Sequence, residues 1–332
     1  MCKITEYFLY SGIEPYLCFI RRNVNLSKVE KFEVHVLGCG SALPTLRHNP
    51  SAQVVNLREK LFMIDCGEGT QLQMRHSRIK FGRMSAIFIT HLHGDHCFGL
   101  MGVISTFSLQ GRTAPLHIYG PADLETYLRP QLNFYARGIG FDVVLHTVDT
   151  QHPVTVYEDR SVRVSTIPLY HRLPCCGYRF DEQAPLPHIR RDMIDFYHIP
   201  NYEINAIKRG ADWVTAEGDV VENSRLVKPA DPPRSYAYCS DTLFDLRVAD
   251  AVKGVDLLYH EATFAQADAA RAAEVRHTTA RQAAEIARQA GARRLLIGHF
   301  SARYDDETVL LHEAQEVFPE TILANEGLTL QI

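Results

Sequence analysis

The segment His91–His96 combines three histidines and one aspartate within six residues. These potential ligands are His91, His93, Asp95 and His96. An apolar strand is predicted over Ala86–Thr90, and continued alternation places the first three on one side, while Gly94 lets the chain turn before the fourth. Nitrogen and oxygen donors without a thiolate suit zinc, with manganese or iron as alternatives. The segment therefore predicts ligands for two adjacent divalent metal ions.

One such cluster cannot complete two metal sites, so further ligands must come from elsewhere in the chain. Three residues of suitable type each follow a predicted strand; they are His171, Asp241 and His299. The carboxyl ends of strands are where sites assemble in open α/β sheets. Taken singly, a histidine or aspartate in a turn is more often a helix cap or a solvated residue. Taken together, the seven residues are enough for two metals that share one bridging carboxylate.

The elements that must position these residues alternate between strand and helix at both ends of the chain. The predicted strands are Phe32–Leu37, Ala52–Leu57, Leu61–Asp65, Ala86–Thr90, Leu116–Tyr119, Val162–Ile167, Tyr236–Ser240, Asp256–His260, Arg294–Ile297 and Leu328–Gln331. The predicted helices are Thr70–Lys80, Phe98–Leu109, Ala122–Ala136, Thr279–Ala290 and Asp306–Val317. This order favours a layered α/β fold with mixed sheets over an all-β barrel.

Two stretches differ from this alternating pattern. Residues 1–30 show no clear period and are interpreted as an N-terminal extension of uncertain role. The stretch Asp181–Pro233 is rich in proline and charge and contains one short predicted helix, Arg191–Tyr197. Because a long loop inside a compact domain is usually functional, this stretch is predicted to be a protruding insertion.

Composition restricts the class of protein. The 332 residues carry a formal net charge of -4 and 16 histidines, which favours metal or proton chemistry in an ordinary globular chain. The eight cysteines are scattered without paired spacing, which is typical of a reducing compartment. No apolar run is long enough to span a membrane. The sequence therefore predicts a cytoplasmic protein without a membrane partner.

Eight motifs in this order resemble those of ribonuclease Z, the family of metallo-β-lactamase-fold endonucleases that mature tRNA 3′ ends. They are Gly38–Thr45, Ile64–Gln71, His91–His96, His171–Pro174 with Gly177 and Tyr178, Tyr238–Thr242, His260–Phe264, His277–Ala280 and His299–Tyr304. The resemblance extends from Phe32 to Ile332. Two features depart from the family: Thr278 stands where serine is common, and Ile199–Ile204 lacks the glycines of the usual Gly-Pro-rich tRNA-gripping segment.

The resemblance implies a four-layer αββα sandwich over residues 31–332, with the insertion at about 181–233 serving as a tRNA-binding arm. It also implies two Zn²⁺ per subunit, with Mn²⁺ or Fe²⁺ as alternatives. One ion would be held by His91, His93 and His171, the other by Asp95, His96 and His299, with Asp241 bridging them. Asp95 would also orient or deprotonate the attacking water. Cleavage would leave a 3′-hydroxyl on the tRNA and a 5′-phosphate on the trailer.

Three further residues are expected to support this chemistry. His277 is the candidate proton donor to the leaving 3′-oxygen, because an alkoxide leaves poorly at neutral pH. Glu261 is expected to pair with His277 and keep it charged. Asp65, at a strand end, is expected to orient a ligand histidine rather than to bind metal. The alternatives are that His277 merely flanks a helix and that Glu261 is a buried structural partner.

The expected partners are precursor tRNA and a second copy of the chain, since the resemblance implies a homodimer in which one subunit's insertion grips tRNA for the other. Candidate RNA contacts in the insertion are Arg190, Arg191, Lys208 and Arg209. Two other functions stay open at this point. One is hydrolysis of small phosphodiesters, sulfates or thioesters by the same fold, and the other is RNA binding without catalysis.

Overall fold

The fold is seen in a computed structural model that describes residues 30–332. The predicted extension over residues 1–30 therefore lies outside the described residues, apart from Glu30. The first of two large sheets has seven strands. They are β1 (Phe32–Gly38), β2 (Ala52–Leu57), β3 (Lys60–Ile64), β4 (Met84–Phe88), β5 (Leu116–Gly120), β6 (Val143–Thr147) and β18 (Thr329–Gln331). Their order is β18-β1-β2-β3-β4-β5-β6, antiparallel up to β3 and parallel beyond it.

The second sheet also has seven strands, in the order β17-β16-β15-β14-β9-β8-β7. They are β7 (Thr155–Glu158), β8 (Val162–Leu169), β9 (Cys175–Glu182), β14 (Ser235–Cys239), β15 (Leu257–Glu261), β16 (Leu295–Gly298) and β17 (Thr321–Leu323). The four strands from β14 to β17 are parallel. Their carboxyl ends, which carry predicted site residues, therefore lie at one edge of the sheet.

Helices cover the outer face of each sheet. They are α1 (Thr70–His76), α2 (Gly94–Cys97), α3 (Leu100–Leu109), α4 (Asp123–Tyr135), α8 (Arg247–Ala251), α9 (Ala269–Val275), α10 (Ala280–Ala290) and α11 (Thr308–Gln315), with single 3₁₀ turns at Phe81–Arg83 and Gln266–Asp268. Helices α3 and α4 pack on the first sheet, while α8, α10 and α11 share a core with the second. The predicted four-layer αββα sandwich is confirmed.

The two sheets pack face to face through aromatic side chains. The ring of Phe62 on the first sheet lies 5.9 Å from that of Phe180 on the second, and Phe88 lies 5.1 Å from Tyr178. Strand β2 is buried along its whole length because layers cover both of its faces. The side chains packed between the two sheets set the distance between the sheets, and therefore the distance between the loops at their ends.

Several strands are missing from the sequence prediction. Strand β9 is one, since Cys175–Glu182 mixes glycine, arginine and acidic residues with apolar ones. Short strands β6, β7 and β17 were also not predicted. Helix α1 ends at His76 rather than at Lys80, because Arg78 adopts a left-handed backbone with φ 55°. Strands β6, β7 and β17 lie at sheet edges and are only partly buried, so hydrophobic periodicity does not reveal them.

The segment between β9 and β14, residues 183–234, is called the arm below. It contains β10 (His188–Ile189), α5 (Arg191–Phe196), α6 (Ile204–Lys208), β11 (Trp213–Val214), β12 (Val220–Val221), α7 (Asn223–Leu226) and β13 (Val227–Lys228). Strand β10 pairs with β13 and β11 with β12. A small core of its own contains Ile199, Ile207, Val221 and Leu226. The arm thus has more structure than the one helix predicted, and its role in tRNA binding stays a prediction.

Within residues 30–332, no helix has both the length and the apolar character that are needed to cross a membrane.

Candidate metal centre

The seven predicted ligands converge where loops leave the carboxyl ends of strands in both sheets. The loop after β4 carries four of them, and single ligands follow β8, β14 and β16. His91 Nε2 lies 3.0 Å from His93 Nδ1, and His171 Nε2 lies 3.2 Å from the same atom. These three imidazoles come from positions up to 80 residues apart, yet their nitrogen atoms surround one point. They form the first group of ligand atoms.

The second group contains Asp95, His96 and His299. His96 Nε2 lies 3.3 Å from His299 Nε2, and Asp95 Oδ2 lies 3.4 Å from His299 Nε2 and 3.5 Å from His96 Nε2. The main-chain amide of Ala42 donates a hydrogen bond of 2.7 Å to Asp95 Oδ2. That contact connects the loop after β1 to the ligand group, and the sequence did not predict it, although Ala42 belongs to the motif Gly38–Thr45.

Asp241 joins the two groups because each of its carboxylate oxygens faces a different one. Oδ2 lies 3.5 Å from His91 Nε2 and 3.7 Å from His171 Nε2. Oδ1 lies 3.4 Å from His96 Nε2 and 3.2 Å from His299 Nε2. The residue is almost completely buried. This is the geometry expected of a carboxylate that bridges two cations.

Hydrogen bonds on the far side of the rings determine which nitrogen carries the proton. His96 Nδ1 donates to Asp65 Oδ2 at 2.8 Å, and His171 Nδ1 donates to the carbonyl of Arg276 at 2.9 Å. Thr263 donates its hydroxyl proton to Glu261, so it accepts from His299 Nδ1 at 2.9 Å. In each case the Nε2 lone pair is left facing the centre. Such support of ligating histidines is the rule at metal sites.

The charges of the buried groups also fit a metal centre. Within the described part of the chain, the basic side chains that lie within 4 Å of the carboxylates of Asp95 and Asp241 are all histidines, with no lysine or arginine among them. Burial lowers the pKa of His91 to about 4 and also lowers the pKa of His93 and His171. These rings are therefore neutral, which is the form that binds metal. The residues present fit two divalent cations.

The carboxylates at the centre stay ionised despite their surroundings. Burial opposes ionisation of Asp95, but the neighbouring imidazoles of His96 and His299 outweigh burial and hold its pKa well below the usual range. Burial likewise opposes ionisation of Asp241, but the imidazoles around it, those of His299 and His96 first among them, outweigh burial and hold its pKa well below the usual range. Both side chains thus present anionic oxygen atoms, which divalent cations bind strongly.

Asp65 is completely buried beneath the second group, where its hydrogen bond holds the ring of His96. It also accepts from the main-chain amide of Thr90 at 2.9 Å and from the hydroxyl of Tyr238 at 3.2 Å. Asp65 and His299 have left-handed backbones, with φ of 56° and 62°, a conformation that residues other than glycine adopt rarely. Such strain is typical of functional sites.

Replacing Asp65 with asparagine is expected to weaken metal binding about 10- to 100-fold, because the amide carries no charge to support the ring of His96. Competition with a chromogenic chelator measures this affinity. Asp256→Asn is the matched control. The carboxylate of Asp256 also accepts a hydrogen bond from a main-chain amide, that of Ser235 at 2.8 Å, but it lies at the ends of β14 and β15 that are opposite to the candidate centre. Equal affinities for the Asp65 variant and the wild type would contradict the orienting role.

His277 lies beside the two groups and has a fixed orientation. Its Nδ1 lies 2.9 Å from Glu261 Oε1, while its Nε2 faces the centre, 3.9 Å from Asp241 Oδ2. Its side chain is 13% exposed. Burial lowers the pKa of His277, but the charges of Glu261 and Asp241 outweigh burial and raise it to about 9. The Nε2–H group is therefore available to a molecule bound at the centre.

Glu261 combines the two roles that the sequence left as alternatives. Besides pairing with His277, its fully buried carboxylate accepts hydrogen bonds from the main-chain amides of Thr242, Thr278 and Thr263. It therefore ties together the loops that follow β14 and β15 and the start of α10. The residue positions His277 and does not face the cleft.

A cleft of about 460 Å³ opens over these groups. Its walls include the loop after β1, with Ser41 and Pro44, and two motif residues to which the sequence gave no role of their own, Glu68 and Arg172. Asp241, Asp95 and His277 all line it. The volume is within the range of pockets that hold a small molecule or part of a larger one. The cleft can therefore admit a phosphodiester group to the candidate centre.

A third cluster, outside the cleft, contains Cys39, His48 and Glu326. His48 Nδ1 lies 3.0 Å from Glu326 Oε2, and its Nε2 lies 3.3 Å from Glu307 Oε1. The hydrogen bond with Glu326 raises the pKa of His48, which favours the cationic form of the ring between two carboxylates. The contact between His48 and Glu326 connects the loop after β1 to the C-terminal segment. The sequence assigned His48 no role.

The four predicted RNA contacts lie on the arm, and none of them lines the cleft. Arg190 pairs with Asp192 at 2.7 Å. Arg191 and Arg209 are exposed, and Lys208 is partly buried at the end of α6. The structure therefore separates these cations from the candidate centre, and their binding of RNA stays a prediction.

Of the known proteins compared with this chain, one family model matches less than half of it, and two relatives and one solved structure match about nine tenths of it. The family model for anti-Pycsar protein Apyc1 matches residues 32–171, which excludes Asp241, His277 and His299. The ribonuclease Z of Bacteroides fragilis is 62% identical over 304 residues, covering 92% of this chain and 100% of that protein. The ribonuclease Z of Bacteroides thetaiotaomicron is 59% identical over 304 residues, covering 92% and 96%. The crystal structure of the short form of human tRNase Z has a TM-score of 0.65 and 27% identity, covering 90% of this chain and 98% of that one.

Proposed function

The chain belongs to the ribonuclease Z family, and from that membership we propose that it is an endoribonuclease that removes the 3′ trailer from precursor tRNA. The observation that carries the proposal is that relatives covered over almost their whole length are named ribonuclease Z, while this chain brings candidate metal-binding side chains together at one cleft. The family that the motifs predicted is confirmed.

We propose that the centre holds two Zn²⁺ per subunit, with Mn²⁺ or Fe²⁺ as alternatives. His91, His93 and His171 would hold one ion, and Asp95, His96 and His299 the other. Asp241 would contribute one oxygen to each. When bound, such cations lower the pKa of water and supply positive charge at the scissile phosphate.

The chain's own side chains would orient the attacking water and protonate the leaving group. The carboxylate of Asp95, fixed by the amide of Ala42, would accept a hydrogen bond from the attacking water and so aim it at phosphorus. His277 would donate its Nε2 proton to the leaving 3′-oxygen, while Glu261 holds the Nδ1 side of the ring. The products would be a tRNA with a 3′-hydroxyl and a trailer with a 5′-phosphate.

Incubation with a precursor tRNA transcript is expected to give one cut near the 3′ end, because the cleft supplies water activation and leaving-group protonation together. A chelator should abolish this cut and added Zn²⁺ should restore it; gel analysis of the products and their end groups measures both. Hydrolysis of a chromogenic diester with intact precursor tRNA would instead indicate a small-molecule hydrolase. Metal-independent RNA binding without cleavage would indicate a non-catalytic protein.

A homodimer is the proposed oligomeric state. Leu109 at the end of α3 and Tyr135 at the end of α4 are exposed, and both line a groove of about 520 Å³. Together with exposed Phe134 they form an apolar surface of the kind that marks protein interfaces. The double substitution Leu109→Glu and Tyr135→Glu should convert dimer to monomer in sedimentation velocity. A monomeric wild type would contradict the proposal.

A cytoplasmic location is proposed with this function. The six cysteines among residues 30–332 are all free and buried, which is typical of a reducing compartment. Precursor tRNA would be available to the enzyme there. Cell fractionation and detection of the protein test this location, and recovery in an extracellular fraction would contradict it.

A further inference from the structure

A thiol, an imidazole and a carboxylate meet outside the candidate metal centre, at Cys39, His48 and Glu326. The first two belong to the loop after β1, and Glu326 lies between β17 and β18, 278 positions beyond His48. Cys39 is completely buried, while the side chains of His48 and Glu326 are 12% and 13% exposed. The fold therefore shields this group of side chains but leaves it a path to solvent.

The three facing atoms are spaced like the ligands of one small cation. Cys39 Sγ lies 3.3 Å from His48 Nδ1 and 3.8 Å from Glu326 Oε2, and Nδ1 lies 3.0 Å from the same oxygen. Tetrahedral zinc, with bonds of about 2.3 Å to sulfur and about 2.1 Å to nitrogen and oxygen, would separate these pairs by about 3.6, 3.6 and 3.4 Å. Each distance in the structure is within about 0.4 Å of that geometry, so small side-chain shifts would complete the site.

Hydrogen bonds alone use this arrangement only in part. A proton on His48 Nδ1 can be donated well to one acceptor, although both the sulfur and Glu326 Oε2 face this nitrogen. The thiol of Cys39 donates to the carbonyl of Ala324 at 3.6 Å. A cation between the three atoms would contact all of them. It would replace the thiol proton, which would pass to solvent.

The imidazole and the carboxylate also have partners on their far sides. His48 Nε2 lies 3.3 Å from Oε1 of Glu307, the residue before α11, so Nδ1 is the nitrogen that faces the sulfur. The main-chain amide of Asn49 donates to Glu326 Oε1 at 2.8 Å, which leaves Oε2 toward the thiol. A carboxylate behind a ligating imidazole and a hydrogen bond to a ligating carboxylate are typical of metal sites.

The donor types indicate which ion would bind. Zinc accepts sulfur, nitrogen and oxygen ligands together, whereas magnesium and calcium prefer oxygen ligands alone. With three ligands from the protein, a water molecule would occupy the fourth position. The partly exposed side chains of His48 and Glu326 leave room for water on the solvent side.

The loop that contains Cys39 also supports the candidate centre. The carbonyl of Cys39 accepts from the amide of Phe300 at 2.9 Å, and Phe300 directly follows the proposed ligand His299. Three residues after Cys39, the amide of Ala42 donates to Asp95. An ion bound to Cys39 would therefore hold the loop on which these two contacts depend.

We propose that Cys39, His48 and Glu326, the thiol cluster, bind a Zn²⁺ ion that ties the loop after β1 to the segment between β17 and β18. The role of this ion is structural, because the walls of the cleft include none of the three residues. The inference goes beyond the proposed function, since this ion takes no part in cleavage. A cluster held by hydrogen bonds alone is the competing outcome.

Metal content gives the first test. After loading with Zn²⁺ and desalting, Cys39→Ser and Glu326→Gln should each retain one fewer Zn²⁺ ion per chain than the wild type, as measured by atomic emission. Both substitutions keep the shape of the side chain, and two variants guard against one that fails to fold. Cys176→Ser is the matched control, because that thiol is also completely buried but belongs to no group of potential ligands.

Cobalt gives a signal that the candidate centre does not produce, because its seven proposed ligands include no sulfur. The wild type loaded with Co²⁺ should show a thiolate-to-cobalt charge-transfer band in the near ultraviolet. This band should be absent from Cys39→Ser and unchanged in Cys176→Ser. X-ray absorption of the zinc-loaded wild type should show a sulfur neighbour at about 2.3 Å from zinc.

Amide hydrogen exchange tests the structural role. Residues 39–49 should exchange more slowly in the zinc-loaded wild type than in Cys39→Ser at the same Zn²⁺ concentration, because the ion holds the loop at two points. Cys176→Ser should match the wild type over this segment. Equal exchange in the wild type and Cys39→Ser would contradict the structural role.

Equal zinc content in the wild type and Cys39→Ser, or a cobalt-loaded wild type without the charge-transfer band, would overturn the proposal and leave a hydrogen-bonded cluster. Both measurements are made without RNA, so they do not depend on the proposed function. A protein that shows the band but never cleaves precursor tRNA would remove the proposed function and keep the thiol cluster as a zinc site.

Discussion

Replacing Asp241 with asparagine should lower kcat/KM for precursor tRNA by about 10³- to 10⁵-fold, the equivalent of several kcal/mol of transition-state stabilisation. One carboxylate oxygen faces His91 and His171, and the other faces His96 and His299. The amide keeps the shape of the side chain but offers one oxygen and no charge. Both groups of ligands lose their shared anion, so the variant should also bind fewer metal ions.

Steady-state kinetics and the metal content per chain, measured by atomic emission, test this expectation together. Asp245→Asn is the matched control, because that nearby carboxylate pairs with Arg247 rather than with the histidines. Circular dichroism before and after chelation of the wild type shows whether metal loss alone unfolds the chain. A variant at Asp241 that binds two ions and cleaves normally would exclude the bridging role.

Removing the imidazole of His277 should affect the chemical step without removing metal. His277→Ala is expected to lower kcat for precursor tRNA about 10²- to 10⁴-fold, the usual contribution of a positioned proton donor. Metal content should stay at the wild-type value, because His277 is not among the seven proposed ligands. Single-turnover cleavage with saturating enzyme isolates the chemical step from product release.

The leaving group gives a sharper test of proton donation. A nitrophenyl diester releases a stable anion that needs no proton, so the His277→Ala variant should retain most of its activity on that substrate. His312→Ala, a histidine on α11 outside the cleft, is the control. Equal losses on both substrates would indicate that His277 organises the centre rather than donating a proton.

The short-range part of the site followed from the sequence because local geometry determines it. His91, His93, Asp95 and His96 share one strand end, so their proximity needs no knowledge of the fold. The same holds for helix α10, where Thr279 and Gln282 form a capping box and Gly291 ends the helix with φ 63°. Its alanine-rich face is apparent from spacing alone. The order of the motifs also indicated the protein family, and the comparisons confirm that family.

The long-range part depended on the tertiary structure. Sequence reasoning placed Asp241 after a strand, but only the packing of two sheets brings its two oxygens to histidines from different loops. The contact between Ala42 and Asp95 and the hidden strand β9 were likewise invisible. Periodicity reports which face of an element is buried, whereas the contact between Ala42 and Asp95 joins residues 53 positions apart and that between Asp95 and His299 joins residues 204 positions apart. The ligand types and their local spacing were determined by the sequence, and their arrangement around one cleft was decided by the fold, since only sheet packing sets distances between remote loops.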